Sequence, residues 1–374
     1  MSISKTFCPA KWDELFINLS ANYVYSCCKS VPVQIVKRED IVRALDKQKI
    51  NLLNGVQDPA CEYCWKLENA GHKSIRNGYL ENFNISNIDE YNANTVNPIH
   101  VQVSLGNECN FQCLYCNPKF SSQWETDVKS KSYPLYSDKN FYAVDDKNEN
   151  SLNSNLELIN GFGDIESLSI NGGETLSHKN FLQIIDKFHG KKLIFPTNLS
   201  FKTTDRIDSF FKIAGKYEKV IMCISLDSTG KNAEFVRYGL DYEQMLTNIN
   251  YVIDNAPDNI EITITPLMTS ISILDLENFL NLVEVFHNKR STLKCKFTYC
   301  RDPQILSLST LPDEARPMIL DQLIKAKDKN YLIDVDLVIS AVKSTKFNKT
   351  LYNLMKQFLI EFSNRKNIEI PLTL

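Results

Sequence analysis

The sequence predicts an α/β fold: a partial (β/α)6 barrel, preceded by a small α+β domain and followed by a mostly helical extension. Three observations carry this. Apolar runs and amphipathic stretches alternate from residue 98 to 300, eight of the 11 cysteines fall before position 117, and the texture beyond residue 300 turns to helical stripes. Strand–helix alternation argues for a parallel sheet with helices outside it.

Six runs read as strands: 99–106, 165–172, 192–198, 220–227, 260–267 and 293–300. Each is short, rich in Ile, Val, Leu or Phe, and bounded by Gly, Pro, Asn or Asp. Between them, residues 181–188, 205–214, 241–255 and 274–286 repeat apolar positions at helical spacing. Six such units close partway into a TIM-like barrel. Beyond them, 311–327 and 348–362 carry helical stripes. The domains are therefore read as 1–90, 91–300 and 301–374. Residues 136–155, rich in Asp, Asn, Ser and Lys, read as a loop or lid, or equally as a spacer.

Composition excludes several classes. Hydrophobic residues make up 43% and charged residues 23%, so wholesale disorder is out. Forty-two Lys and Arg against 45 Asp and Glu leave −3, which gives no strong nucleic-acid signal. No stretch is long and apolar enough to cross a membrane. The N-terminal residues lack the charged-then-apolar order of a secretory signal, so the expected location is cytoplasmic. An odd number of cysteines without an export signal argues for metal or redox chemistry over a disulfide framework.

The chemistry concentrates directly after the first barrel strand. Cys109, Cys113 and Cys116 form a CxxxCxxC loop, with Tyr115 before the last Cys. Three thiolates in one loop can hold three irons of a four-iron cluster and leave the fourth open to a small molecule. A zinc loop or three unrelated buried cysteines are the competing readings.

This spacing resembles the radical S-adenosylmethionine (radical SAM) enzymes over residues 98–300. The resemblance implies a [4Fe–4S] cluster whose open iron chelates SAM. Reductive cleavage of SAM then yields a 5′-deoxyadenosyl radical that abstracts a substrate hydrogen. Further family motifs follow in order. Gly172-Gly173-Glu174 matches the GGE motif, with glycines for close backbone approach and Glu174 as acceptor for the SAM ammonium. Asn198 belongs to a Thr-Asn pair at the third strand's end. Ser225 and Asp227 match a Ser-x-Asp on the fourth, placed on one face by strand alternation. Arg237 stands where the family meets the SAM carboxylate, and Tyr115 and Met268 are adenine-side candidates, with a core role open for Met268. Cys300, at the sixth strand's end, is the candidate catalytic thiol for returning a hydrogen atom; a structural role competes.

Residues 7–28 and 61–76 resemble a SPASM/twitch-type auxiliary-cluster module, here placed before the barrel rather than after it. That module implies a Cys, a β-hairpin and a second Cys, with Asn22 at the usual turn glycine. Cys8, Cys61 and Cys64 are the easier ligands. Of the adjacent Cys27 and Cys28 only one ligates, and the family spacing from Asn22 selects Cys27. Four thiolates would close an auxiliary Fe–S cluster, expected as [4Fe–4S]; [2Fe–2S] and a zinc knuckle stay open.

The resemblance implies an oxidoreductase- or transferase-type enzyme modifying a peptide or protein side chain. It also implies an electron donor such as flavodoxin or ferredoxin. The alternatives are a radical dehydrogenase of a small sugar-like alcohol, and a non-catalytic Fe–S electron carrier or sensor.

Overall fold

The structure is a computed structural model. It describes residues 4–19, 23–27, 29–34, 38–71, 73–81, 83, 91–92, 98–130, 141, 165–328 and 333–371. Asn22, Cys28 and, Phe141 apart, the loop read over 136–155 lie outside these residues.

The chain is a mixed α/β protein built on mostly parallel strands, and its packing divides it into two units. Unit 1 comprises residues 1–106, 146–171 and 183–194; unit 2 comprises 107–145, 172–182 and 195–374. The strands in chain order are β1 Glu14–Asn18, β2 Tyr23–Tyr25, β3 Val33–Gln34, β4 His100–Ser104, β5 Gln112–Cys113, β6 Ser167–Asn171 and β7 Lys192–Thr197. They continue with β8 Lys219–Ile224, β9 Arg237–Tyr238, β10 Ile260–Ile264, β11 Leu267–Met268, β12 Lys294–Lys296, β13 Thr298–Tyr299 and β14 Ile333–Asp334.

All six expected runs contain a strand: β4, β6, β7, β8, β10 and β12. In unit 1 β4, β6 and the start of β7 neighbour one another in chain order, and in unit 2 the end of β7, β8, β10 and β12 do likewise. The burial follows the pleat. In β4 Val101 and Val103 are buried between more exposed neighbours, and in β7 Leu193 and Phe195 repeat the pattern.

In unit 1 the order is β3-β2-β1-β4-β6, followed by the start of β7. The hairpin implied by the module resemblance is present: β1 pairs antiparallel with β2, Phe16 opposite Tyr25. The other edge of β1 pairs parallel with β4, Leu15 opposite Val101. No residue pattern signals that this hairpin extends the sheet.

In unit 2 the order runs from the end of β7 through β8-β10-β12 to β14. Helices Asp205–Ala214, Tyr242–Asn255 and Leu276–Lys289 fall where the periodicity predicts them. Asp241 caps the second, accepting from Gln244 N at 3.0 Å. The run 293–300 is broken into β12 and β13, and β13 pairs with β11 instead of extending the sheet. Helices Arg316–Asp328, Asp336–Ser344 and Lys349–Lys366 make residues 301–374 mostly helical, with β14 as an unforeseen edge strand. Met355, Phe358, Leu359 and Phe362 from the last helix bury against Leu114 and Trp124. The C-terminal helix therefore packs under the cysteine loop.

Candidate functional site

The site lies within unit 2 and is built around the loop that carries Cys109, Cys113 and Cys116. This loop is tied down along its whole length. β5 pairs antiparallel with β9, setting Cys113 opposite Arg237, and Leu114 N donates to Val236 O at 2.9 Å. Trp124 Nε1 donates to Cys113 O at 2.8 Å, and Ser121 Oγ to Phe111 O at 2.7 Å. Cys109 N donates to Ser122 Oγ at 3.2 Å.

Two glycines permit this. Gly173 has φ +53°, and a Cβ there would stand 2.0 Å from Glu108 O. Gly239 has φ +107°, and a Cβ would stand 2.9 Å from Asn110 O. Glycine is required where backbone meets backbone this closely. The close approach expected of Gly173 is thus made to the cysteine loop's own backbone. Gly172 is also left-handed, at φ +104°.

Glu174 is 2% exposed. Its Oε1 accepts from Thr197 Oγ1 at 2.5 Å and Leu176 N at 3.1 Å, and its Oε2 from Asn198 N at 2.5 Å. Burial pushes its carboxyl up to about 7, against the opposing pull of those three bonds. A carboxylate offers about four lone-pair sites, so one on Oε2 remains for a further donor. Asn198 reaches on to the cysteine loop, donating from Nδ2 to Asn110 Oδ1 at 2.8 Å. The next residue, Leu199, is fully buried at φ 51°, a strained conformation for a bulky side chain.

Asp227 is 1% exposed and accepts four hydrogen bonds. Oδ2 takes Tyr115 OH at 2.6 Å and Arg237 Nε at 2.8 Å; Oδ1 takes Leu267 N at 2.8 Å and Arg237 Nη2 at 3.3 Å. All its lone pairs are committed within the chain. Burial, the largest single influence, works against the Arg237 charge, but Asp227, Tyr115 and Cys113 together outweigh it and raise the guanidinium pKa. Arg237 also stands 5.7 Å from the Tyr115 ring centroid and 4.0 Å from Cys113 Sγ. It begins β9 at the end of helix Gly230–Val236.

β8 ends at Ile224, so Ser225 and Asp227 lie in the loop beyond it. The alternation that placed them on one face does not extend there. Ser225 is half-buried, and its hydroxyl has no hydrogen bond among the described residues. Met268 is fully buried on β11, and its carbonyl accepts from Cys300 N at 2.9 Å. Cys300 follows β13 and is 1% exposed in the core group with Leu114 and Trp124; its thiol faces Asp302 O at 3.2 Å. Burial pushes that thiol up to about 12.

Burial also pushes the Cys109 thiol up to about 11 and Cys116 to about 12, and raises Cys113 as well. Such thiols give up their protons to a metal and not to water. The donor set is all sulfur, which suits iron–sulfur chemistry. Among the described residues, no three His, Cys, Asp or Glu groups stand close enough to share one metal ion. A four-iron cluster gives each thiolate its own iron and so spaces its ligands more widely than one ion does.

Sequence reasoning missed two groups beside the carboxylates. Thr175 and Ser228 are fully buried, and their hydroxyl oxygens have no hydrogen-bond partner among the described residues. Buried, unpaired hydroxyls call for an explanation such as a polar ligand. Their signal was only adjacency, each following a site carboxylate. Asn110 was also missed, lying at an unspecified position inside the cysteine motif.

Unit 1 holds a second sulfur pocket. Cys8, Cys27, Cys61 and Cys64 line one pocket together with Lys11, Lys29, Trp65 and Arg76. Asp58 holds the Cys61 turn, accepting from Ala60 N at 2.8 Å and Asn51 Nδ2 at 2.7 Å. Cys61 and Cys64 are three residues apart at a helix start, hence on one face. Burial pushes the Cys8 thiol up to about 12 and raises Cys61.

No family model and no curated protein matches the chain. Solved structures with a partial likeness include Streptococcus suis SuiB bound to S-adenosylmethionine, at TM-score 0.43 and 12% identity over 89% of this chain and 72% of that one. SuiB bound to the precursor peptide SuiA gives TM-score 0.42 and 12% identity over 92% and 73%.

Proposed function

We propose that the chain is a radical SAM enzyme with an auxiliary iron–sulfur cluster, acting on a peptide or protein side chain. The observation that supports this reading is the convergence on one cysteine loop of residues from the family's successive motifs. Gly173, Asn198, Asp227 and Arg237 each touch that loop. Four motifs with unrelated structural roles would have no reason to meet there.

In this reading Cys109, Cys113 and Cys116 hold a [4Fe–4S] cluster. With SAM bound, such a cluster would supply the electron for reductive SAM cleavage and so the means of hydrogen abstraction. The chain's own residues position and shield. The Asp227–Arg237–Tyr115 network fixes the loop and keeps a positive charge beside Cys113. Glu174 offers its remaining lone pair to the SAM ammonium, and Thr175, Ser225 and Ser228 offer hydroxyls. Gly172, Tyr115 and Met268 complete the SAM side. Cys8, Cys27, Cys61 and Cys64 hold the auxiliary cluster, and a flavodoxin or ferredoxin supplies electrons. The peptide preference rests on family association, and the domain division 1–90, 91–300 and 301–374 belongs to the same proposal.

Anaerobic reconstitution tests the cofactor content. The protein is expected to bind about eight irons as two four-iron clusters. Replacing Cys109, Cys113 and Cys116 with Ala should halve that content. Zinc without iron in anaerobically purified protein would overturn the reading.

A further inference from the structure

Lys11 is a buried cation in an unusual place. It is 2% exposed, and Nζ donates to Ser26 Oγ at 2.5 Å and Gln48 Oε1 at 3.1 Å. Both partners are neutral. Among the described residues no carboxylate forms an ion pair with it. It lines the same pocket as Cys8, Cys27, Cys61 and Cys64, and its charge acts on Cys8 and Cys61. Arg76, also at the pocket, is already paired with Glu68 through Nη2 at 2.5 Å.

An ammonium buried without an anion is strongly disfavoured, and neutral thiols do not offset the cost. Four thiolates on an iron–sulfur core carry net negative charge, and one-electron reduction adds one more. The charge Lys11 lacks is the charge the pocket acquires when filled. In a buried, low-dielectric site a nearby cation favours the more negative state.

We propose that Lys11 is the built-in counter-charge of the N-terminal cluster and holds its reduction potential up, equipping that cluster to accept an electron. This rests on the reading that the four thiols carry such a cluster. The electron enters without a proton, because the fixed ammonium already balances it.

The test uses the full-length chain with Cys109, Cys113 and Cys116 replaced by Ala, so that only the N-terminal pocket holds iron. The potential is read anaerobically by dithionite titration followed by visible absorbance and electron paramagnetic resonance. Lys11→Met and Lys11→Gln should each shift the reduced-to-oxidised ratio at fixed potential at least tenfold toward oxidised, about 59 mV for one electron. Lys11→Arg should stay near the parent. Should both neutral variants fail to retain iron while Lys11→Arg retains it, the charge is needed for assembly, which also supports the proposal. Equal potentials in the parent and a neutral variant overturn the proposal and leave the cluster standing. No iron in the triple-Ala parent overturns cluster and proposal together.

Discussion

Asp227→Ala is the perturbation that most exposes how the cysteine loop is held. The carboxylate, 1% exposed, balances the buried Arg237 guanidinium through contacts at 2.8 and 3.3 Å. Arginine cannot shed its proton, so the variant buries an uncompensated charge beside Cys113. Breaking a buried pair from one side costs about 3–5 kcal/mol. Leu267 N–H and Tyr115 OH also lose their acceptor, at about 1–3 kcal/mol each if left unpaired. These costs share one carboxylate and do not add simply, so about 3 kcal/mol is the floor. Trp124 is the only tryptophan in unit 2 and bonds to Cys113 O. In a Trp12→Phe, Trp65→Phe background, urea unfolding followed by fluorescence therefore reports on this unit alone. Adding Arg237→Met should restore about half the loss, because the stranded charge goes. A single-variant cost below about 1 kcal/mol, or no recovery in the double variant, would refute the buried lock.

Glu174 should make unit 2 pH-sensitive. Its carboxyl rises from 4.5 to about 7 on folding, so its contribution is fully present below about 4.5 and is lost as pH rises through about 7. The loss amounts to about 3 kcal/mol. Glu174→Gln should flatten that slope in urea titrations from pH 5 to 8; an unchanged slope would mean another group titrates. Gly173→Ala places a Cβ 2.0 Å from Glu108 O and should cost about 1–3 kcal/mol with weakened iron uptake at the cysteine loop, read by thermal unfolding and iron assay. Cys300→Ala, at a 1% exposed core position, should lower stability by about 1 kcal/mol and leave product formation intact. Loss of product with 5′-deoxyadenosine release unchanged would instead assign Cys300 the return of the hydrogen atom.

The strands of the parallel sheet were legible because each is a short apolar run between turn residues, a signal local to the chain. β14, whose pairing is set by tertiary contact, was not legible, and neither was the continuation of the β1–β2 hairpin into the sheet. The cysteine motif was legible from spacing alone. What the sequence could not reveal was how its neighbours are spent. Asp227 reads as a ligand-binding carboxylate, yet Tyr115, Arg237 and Leu267 N consume all four of its lone pairs. Tyr115 lies 112 residues from Asp227, and no pattern of period 2 or 3.6 relates residues so far apart. Lys11 escaped for the same reason, since a lysine in a short helix reads as solvated until the fold buries it.

SAM cleavage at the cysteine loop is open to a single assay: anaerobic incubation of the reconstituted protein with SAM and dithionite, followed by chromatography and mass spectrometry. The parent protein should release 5′-deoxyadenosine, and the Cys109, Cys113 and Cys116 to Ala variant should release none. An intact, reduced cluster that leaves SAM uncleaved would contradict the radical SAM reading and point to an electron carrier or sensor.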